Sequence, residues 1–183
     1  MDTAPGTSWY KALVPLVILL FNIETMVFGG FVVHARKKYG IPYPTMYAVP
    51  GTKRYYDESM KPTAEEEPKF SDTITDAEAF AFNSIQRGHQ NTIENAPFFL
   101  AILLVAWAYP LTAGIAGIFY LVGRALYMYG YSTNPKLRYY GAVFIYPSLL
   151  TLFGLTTRYM VSMAAPSPLE TSMVYKVVQG ANV

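Results

Sequence analysis

Four long apolar stretches constrain this chain more than anything else in it. They run over about residues 12–34, 82–109, 111–131 and 139–164. Each reaches the ~20 residues that carry a helix across a ~30 Å hydrocarbon layer. Apolar residues follow one another without period-two alternation, so none reads as a strand. Charged residues make up 14% of the chain, against ~25% in an ordinary soluble domain. A helical bundle buried in water is the competing reading, but four such stretches would leave it little polar surface. The expectation is an all-α integral membrane four-helix bundle, left-handed and antiparallel. It forms a single membrane domain over 1–183, with helices at about 12–34, 76–109, 111–131 and 138–163 and a long polar loop at about 36–75.

The connections agree with that architecture. Tyr109-Pro110-Leu111-Thr112 and Ser132-Thr133-Asn134-Pro135-Lys136 are turn-like, and links this short force antiparallel neighbours. The stretch 40–75 differs, with Pro42, Pro44, Pro50, Pro62 and Pro68, a Glu65-Glu66-Glu67 run and no periodicity. Thr75-Asp76-Ala77-Glu78 has the form of a capping box and predicts the start of the second helix. The tail after Pro166 is expected to be poorly ordered. The first stretch is too long for a signal peptide's apolar core and is followed by no cleavage site, while Arg36, Lys37 and Lys38 stand where a stop-transfer anchor would. Ten basic residues (Arg36, Lys37, Lys38, Lys53, Arg54, Lys61, Lys69, Arg87, Lys136 and Arg138) lie on the side of the two loops, and three (Lys11, Arg158 and Lys176) lie with the termini. The positive-inside rule then puts the loops in the cytosol and the termini in the lumen.

Polar residues inside such spans are costly, which makes them functional candidates. Arg87, Asn91 and Glu94 are spaced i, i+4, i+7 and fall within roughly 60° on one helix face. Together they offer a guanidinium, an amide and a carboxylate, a set suited to a zwitterion. Arg87 is the natural partner of a carboxylate, and Glu94 of an ammonium. Tyr120, Arg124, Tyr127 and Tyr131 likewise line one face of the third helix. Other readings stay open. Arg87 could snorkel to phosphates. Arg124 could pair with Glu94 or Glu24 and simply hold the bundle, and the tyrosines could form an interfacial belt. Glu24 reads as an interhelical tie or a protonated carboxyl rather than a catalytic group. Gly29-Gly30 reads as a close-packing spot, and two lone histidines, His34 and His89, make no metal site.

These residues also carry a resemblance. Phe82-Asn83-Ser84-Ile85-Gln86-Arg87-Gly88-His89-Gln90-Asn91-Thr92-Ile93-Glu94 followed by Pro97 resembles the signature of the membrane-associated proteins in eicosanoid and glutathione metabolism. Ala35-Arg36-Lys37-Lys38-Tyr39, Tyr43-Pro44-Thr45-Met46-Tyr47, Gly123-Arg124 and Tyr127-Met128-Tyr129-Gly130-Tyr131 are most similar to its type 3 microsomal glutathione S-transferase branch. The resemblance spans roughly 12–160. It implies a homotrimer in the endoplasmic reticulum or outer nuclear membrane, with glutathione bound between subunits toward the cytosol. By motif, Arg87, Asn91, Glu94, Tyr127 and Tyr131 would contact glutathione from one subunit, while Arg36, His89 and Arg138 would come from or face the neighbour. Arg138 matches the arginine that the leukotriene C synthase branch uses to stabilise the thiolate, and Lys37 stands where that branch has a second arginine. Arg124, Tyr120 and Glu24 would support the site. His89 replaces a glutamine and Asn95 a tyrosine of that branch, and the long loop carries an insertion relative to the animal type 3 enzyme.

The function so implied is a membrane-bound glutathione transferase and peroxidase. It would conjugate glutathione to lipophilic electrophiles, with leukotriene C synthase-like activity included, or use it to reduce lipid hydroperoxides. Glutathione is the cosubstrate, membrane lipids are the surroundings, and no metal is expected. The chain has no cysteine, so it supplies no thiol of its own, no disulfide and no iron–sulfur cluster. A net charge of +2 gives no reason to expect a nucleic-acid partner. The main alternative is a non-catalytic lipid-presenting scaffold of the same fold, like the five-lipoxygenase-activating protein. A small transporter is disfavoured because the two halves show no inverted repeat.

Overall fold

A computed structural model of the protein describes residues 9–55, 72–165 and 173. Helix α1 is Leu13–Tyr39, led by a 3-10 turn at Trp9–Ala12. Helix α2 is Asp76–Val105, extended by a 3-10 turn at Ala106–Ala108. Helix α3 is Pro110–Thr133, and after a 3-10 turn at Pro135–Leu137, α4 is Arg138–Ala164. All four are long and apolar enough to cross a membrane. The protein is an all-α four-helix membrane bundle. Its described residues contain no strand, only an isolated bridge between Lys53 and Thr73.

Helix ends follow caps rather than hydropathy. The apolar stretch of α1 stops near His34, yet the helix runs through Tyr39. Its stop is Gly40, whose φ of 64° is the left-handed conformation that glycine adopts freely, and whose amide donates to the Arg36 carbonyl. Arg36, Lys37 and Lys38 occupy the last turn, where cations meet the negative end of the helix dipole. At the start of α2 the expected capping box is present: the Thr75 hydroxyl accepts from the Glu78 amide, and Glu78 accepts from the Thr75 amide at 2.9 Å. Pro97 and Pro147 lie inside α2 and α4, as transmembrane helices tolerate.

Helix α3 is the centre of the bundle and touches the other three. Its small residues set the approach distances. A Cβ at Gly117 would meet Val17 of α1 at 2.7 Å, so α1 and α3 lie side by side starting from the same end. A Cβ at Gly141 would lie 2.5 Å from the Gly123 carbonyl oxygen and the Tyr127 nitrogen, and one at Gly130 would lie 2.6 Å from the Arg138 nitrogen. Backbone therefore meets backbone between α3 and α4, the close approach that small residues allow where no hydrophobic force drives helices together. The consequence for function is that the first turn of α4 is pressed against the last two turns of α3.

Two cores divide the bundle. Toward the termini, Val14, Val17, Phe21, Phe99, Leu103, Tyr120, Ile145 and Leu152 form one apolar cluster. At the other end, Val32, Ala35, Ile41, Ala48, Ile74, Ala79 and Phe82 form a second. The second core changes the reading of the connection between α1 and α2. The sequence reads as a polar loop there, but its described parts, 40–55 and 72–75, fold onto the helices. Ile41 and Ala48 are buried, and the Asn83 side chain grips Ala48 twice, accepting from its amide at 2.7 Å and donating to its carbonyl at 3.0 Å. Arg54 reaches Glu78 at 2.5 Å. The expectations for the Glu65-Glu66-Glu67 run and for the tail after Pro166 lie outside the described residues.

Candidate functional site

The site is built where α2, α3 and α4 meet, on the end of the bundle that carries the folded connection. On α2, Arg87 and Glu94 face each other, with Nη1 to Oε1 at 3.1 Å, and both side chains are more than 40% exposed. The two charges that the sequence assigns to a ligand's carboxylate and ammonium therefore hold each other. Their pairing is at ordinary hydrogen-bond distance and open to its surroundings.

Asn91, between them in sequence, is held from α3. Arg124 donates through Nη1 to the Asn91 Oδ1 at 2.8 Å and through Nε to the Tyr120 hydroxyl at 2.9 Å. Arg124 is buried and hydrogen-bonds Asn91 and Tyr120, and it lies near enough to the Glu24 carboxyl for their charges to interact. Arginine has donors only, so the amide oxygen of Asn91 is the atom turned toward it. Glu24, half-buried in α1, has an Oε2 with no hydrogen-bond partner. Asn22 near it is spent on its own helix, donating to the Ile18 carbonyl.

The tyrosine stripe of α3 turns out to serve two arginines. Tyr120 and Tyr127 go with Arg124, whose guanidinium carbon lies 5.0 and 5.7 Å from their ring centroids. Tyr131 goes with Arg138. The Arg138 Nη1 donates to the Tyr131 hydroxyl at 2.8 Å, and its guanidinium lies 5.5 Å from the Tyr131 ring and 5.6 Å from the Tyr139 ring. The Tyr127 and Tyr131 rings touch at 5.2 Å, tilted by 56°. A continuous path thus runs from Asn91 through Arg124, Tyr127 and Tyr131 to Arg138. Gly88 closes it on the α2 side, since a Cβ there would stand 3.3 Å from the Tyr131 Cβ. Among the described residues no group of three or more His, Cys, Asp or Glu side chains could hold a metal.

Within one chain, Arg36 and His89 lie off this path, as do Glu24 and the Arg87–Glu94 pair. Arg36 is buried at the end of α1, donating to the Pro42 carbonyl at 3.2 Å and the Thr45 carbonyl at 2.6 Å, with its guanidinium 4.5 Å from the Tyr43 ring and 5.3 Å from the Phe82 ring. Its role here is to fasten the start of the connection. His89 points to α1 instead, with its Cε1 3.6 Å from where a Gly29 Cβ would stand and its Nδ1 buried without a partner. Gly29 meets the His89 ring at ordinary contact distance, and among the described residues nothing lies within 4 Å of where a Gly30 Cβ would stand.

The model of the MAPEG family matches residues 14–158, from the start of α1 to near the end of α4. This chain belongs to the MAPEG family. The match takes in every candidate above, from Glu24 and Arg36 to Arg138, together with the connection that folds over α2.

Sequence reasoning missed the part of this MAPEG chain that reaches Arg87. The Tyr47 hydroxyl hydrogen-bonds the Gln90 side-chain oxygen and also abuts Arg87. Tyr47 and Asn83 both sit inside the quoted motifs, but only their similarity to the family marked them, and no spacing rule gives a loop residue a partner on a helix.

Proposed function

We propose that this MAPEG protein is a membrane-bound glutathione transferase with glutathione peroxidase activity, of the type 3 microsomal branch. The observation that carries the reading is the Arg138–Tyr131 contact at the end of a path that begins at Asn91. It places a permanent cation at one end of a site whose other end offers Arg87, an amide donor and Glu94. Glutathione has the matching groups: two carboxylates, an ammonium and a thiol. Arg87 takes a carboxylate, Asn91 donates to an acceptor oxygen, Glu94 takes the ammonium, and Tyr127 and Tyr131 line the wall. Many family members use glutathione.

The chemical task is to make a thiolate at neutral pH. A free thiol has a pKa of ~8.5 and is mostly protonated there. A guanidinium within hydrogen-bond reach favours the anion, and more so where water is excluded. Arg138 spends one donor on Tyr131 and keeps others for the sulfur. With an epoxide, the thiolate forms a C–S bond while a C–O bond breaks and the oxygen takes up a proton. With a lipid hydroperoxide, sulfur takes the terminal oxygen and an alcohol leaves. A second glutathione then yields the disulfide and water.

A lipophilic partner has a route. An apolar groove of about 370 Å³ lies between α3 and α4, walled by Phe119, Val143, Phe144 and Pro147. Val143 stands five residues beyond Arg138, ~8 Å along the helix at ~1.5 Å per residue. The exposed charges of Arg87 and Glu94 argue for an oligomer, because neither can face lipid cheaply. A homotrimer, in which Arg36 and His89 would meet a neighbour's site, fits the family. The endoplasmic reticulum or outer nuclear membrane is the proposed location, with the site toward the cytosol and the termini lumenal, supported by the ten-to-three bias of basic residues.

The test is glutathione-dependent turnover of an aryl halide, a lipid hydroperoxide and a leukotriene epoxide side by side in purified protein. Turnover of one or more supports an enzyme. Glutathione binding with no turnover of any would favour the lipid-presenting scaffold.

A further inference from the structure

A second groove, of about 510 Å³, opens between α1 and α3 and shares no residue with the path from Asn91 to Arg138. Its size falls within the ~300–1,000 Å³ of small-molecule sites. The wall is apolar, with Phe28, Phe31, Ile85 and Met128, and one end is polar, with His34 and Lys38. No carboxylate lines it. The Lys38 ammonium sits over the Tyr39 ring, 5.2 Å from its centroid, which holds the cation at the rim. Arg36 does not compete, because its guanidinium is committed to the Pro42 and Thr45 carbonyls.

The depth of the groove is its second informative feature. Along α1 it runs from Val27 to Lys38, ~16 Å at ~1.5 Å per residue. That is about half of a ~30 Å hydrocarbon core, or one leaflet. An apolar channel one leaflet deep with a cation at its outer end has the shape and polarity of a bilayer lipid. A neighbouring helix, ~10–12 Å across, would need a face along the whole span, and this groove stops near the middle. Basic pockets between transmembrane helices are a known form of anionic headgroup recognition.

We propose that this groove binds one acyl chain of an anionic glycerophospholipid from the bilayer, with Lys38 against the net negative charge of the headgroup, which a choline headgroup cancels. The site is separate from the glutathione reading and stands whether or not the protein is an enzyme. Lipid enters sideways from the leaflet, the chain lies along Phe31 and Phe28, and the lysine selects the headgroup. Phosphatidylserine would be retained over phosphatidylcholine, and the protein would carry about one tightly held lipid per subunit.

The experiment places a reporter in the groove. Phe31→Trp protein is reconstituted in vesicles containing brominated phosphatidylserine or brominated phosphatidylcholine, and quenching of the added fluorescence is read against the parent, in which Trp9 and Trp107 lie toward the other end of the bundle. The expected result is quenching at about fivefold lower content of the serine lipid, the scale of one lysine at a membrane surface, and loss of that preference in Lys38→Glu. Equal quenching by the two lipids, or a preference that survives Lys38→Glu, would overturn the proposal. So would the absence of quenching by either lipid, the mark of a second copy covering the groove. Native mass spectrometry of the unsubstituted protein gives a check free of the tryptophan. One phosphatidylserine per subunit should survive release from detergent and be lost in Lys38→Glu, and no retained lipid, or equal retention in both proteins, would count against the site.

Discussion

The two ends of this bundle solve the same packing problem in opposite ways. Toward the termini the helices are joined by dry aromatic contact. Phe99 and Tyr120 stack at 3.8 Å and 8°, and Phe21 tilts against both. Toward the folded connection they are joined by arginines. Arg124 ties α3 to α2, Arg138 ties α4 to α3, and Arg36 ties α1 to the connection. Tyr120 belongs to both ends, since its ring is in the stack and its hydroxyl accepts from Arg124. The apolar end is held by ring contacts, while the polar end keeps the half-exposed charges of Arg87 and Glu94, so the two ends should answer substitution differently.

The widest separation between the ends should appear in stability. Phe99→Ala removes a fully buried ring from the stack and should cost ~3–5 kcal/mol, read as a lower melting temperature in detergent. The loss of activity should track the loss of folded protein. Glu94→Gln should do the reverse, weakening glutathione binding by ~1.5–3 kcal/mol, the scale of a hydrogen bond to a charge, while the melting temperature stays put. Unaltered affinity would remove Glu94 as the ammonium partner. Asn83→Ala should release the connection at a cost of ~1–3 kcal/mol, visible as faster hydrogen exchange at the Ala48 amide with the apolar end unaffected.

The smallest change tests the join itself. Tyr120→Phe keeps the stack and deletes the hydroxyl, and should cost only ~0.5–1.5 kcal/mol. If Tyr120 couples the two ends, affinity for glutathione falls as well, because Arg124 loses one of the two bonds that fix its grip on Asn91. Affinity equal to the parent's would show that the ends are independent.

The apolar end was legible in the sequence almost completely, because hydropathy and length decide it. At the other end of α1 a local rule outranks the apolar pattern, and the helix runs past His34 to its capping glycine. At the polar end the helix faces were legible but the partners were not. Spacing put Arg87, Asn91 and Glu94 on one face, and it could not say that Arg87 and Glu94 would hold each other or that Asn91 would be taken by Arg124. The stripe of Tyr120, Tyr127 and Tyr131 was visible, while its division between two arginines depends on how closely Gly130 and Gly141 let α4 approach. The fold of 40–55 was hidden because a few isolated apolar residues, Ile41 and Ala48 among prolines, carry no period.

The central claim is that the polar end activates a thiol through Arg138. It is tested most directly by titrating glutathione into the purified protein at neutral pH and following thiolate ultraviolet absorbance, with Arg138→Ala in parallel. The account predicts thiolate in the parent and, in the variant, glutathione still bound but protonated, with turnover reduced by ~10²–10³, the scale of losing one charge-stabilising donor. Thiolate formed equally in both proteins would contradict it.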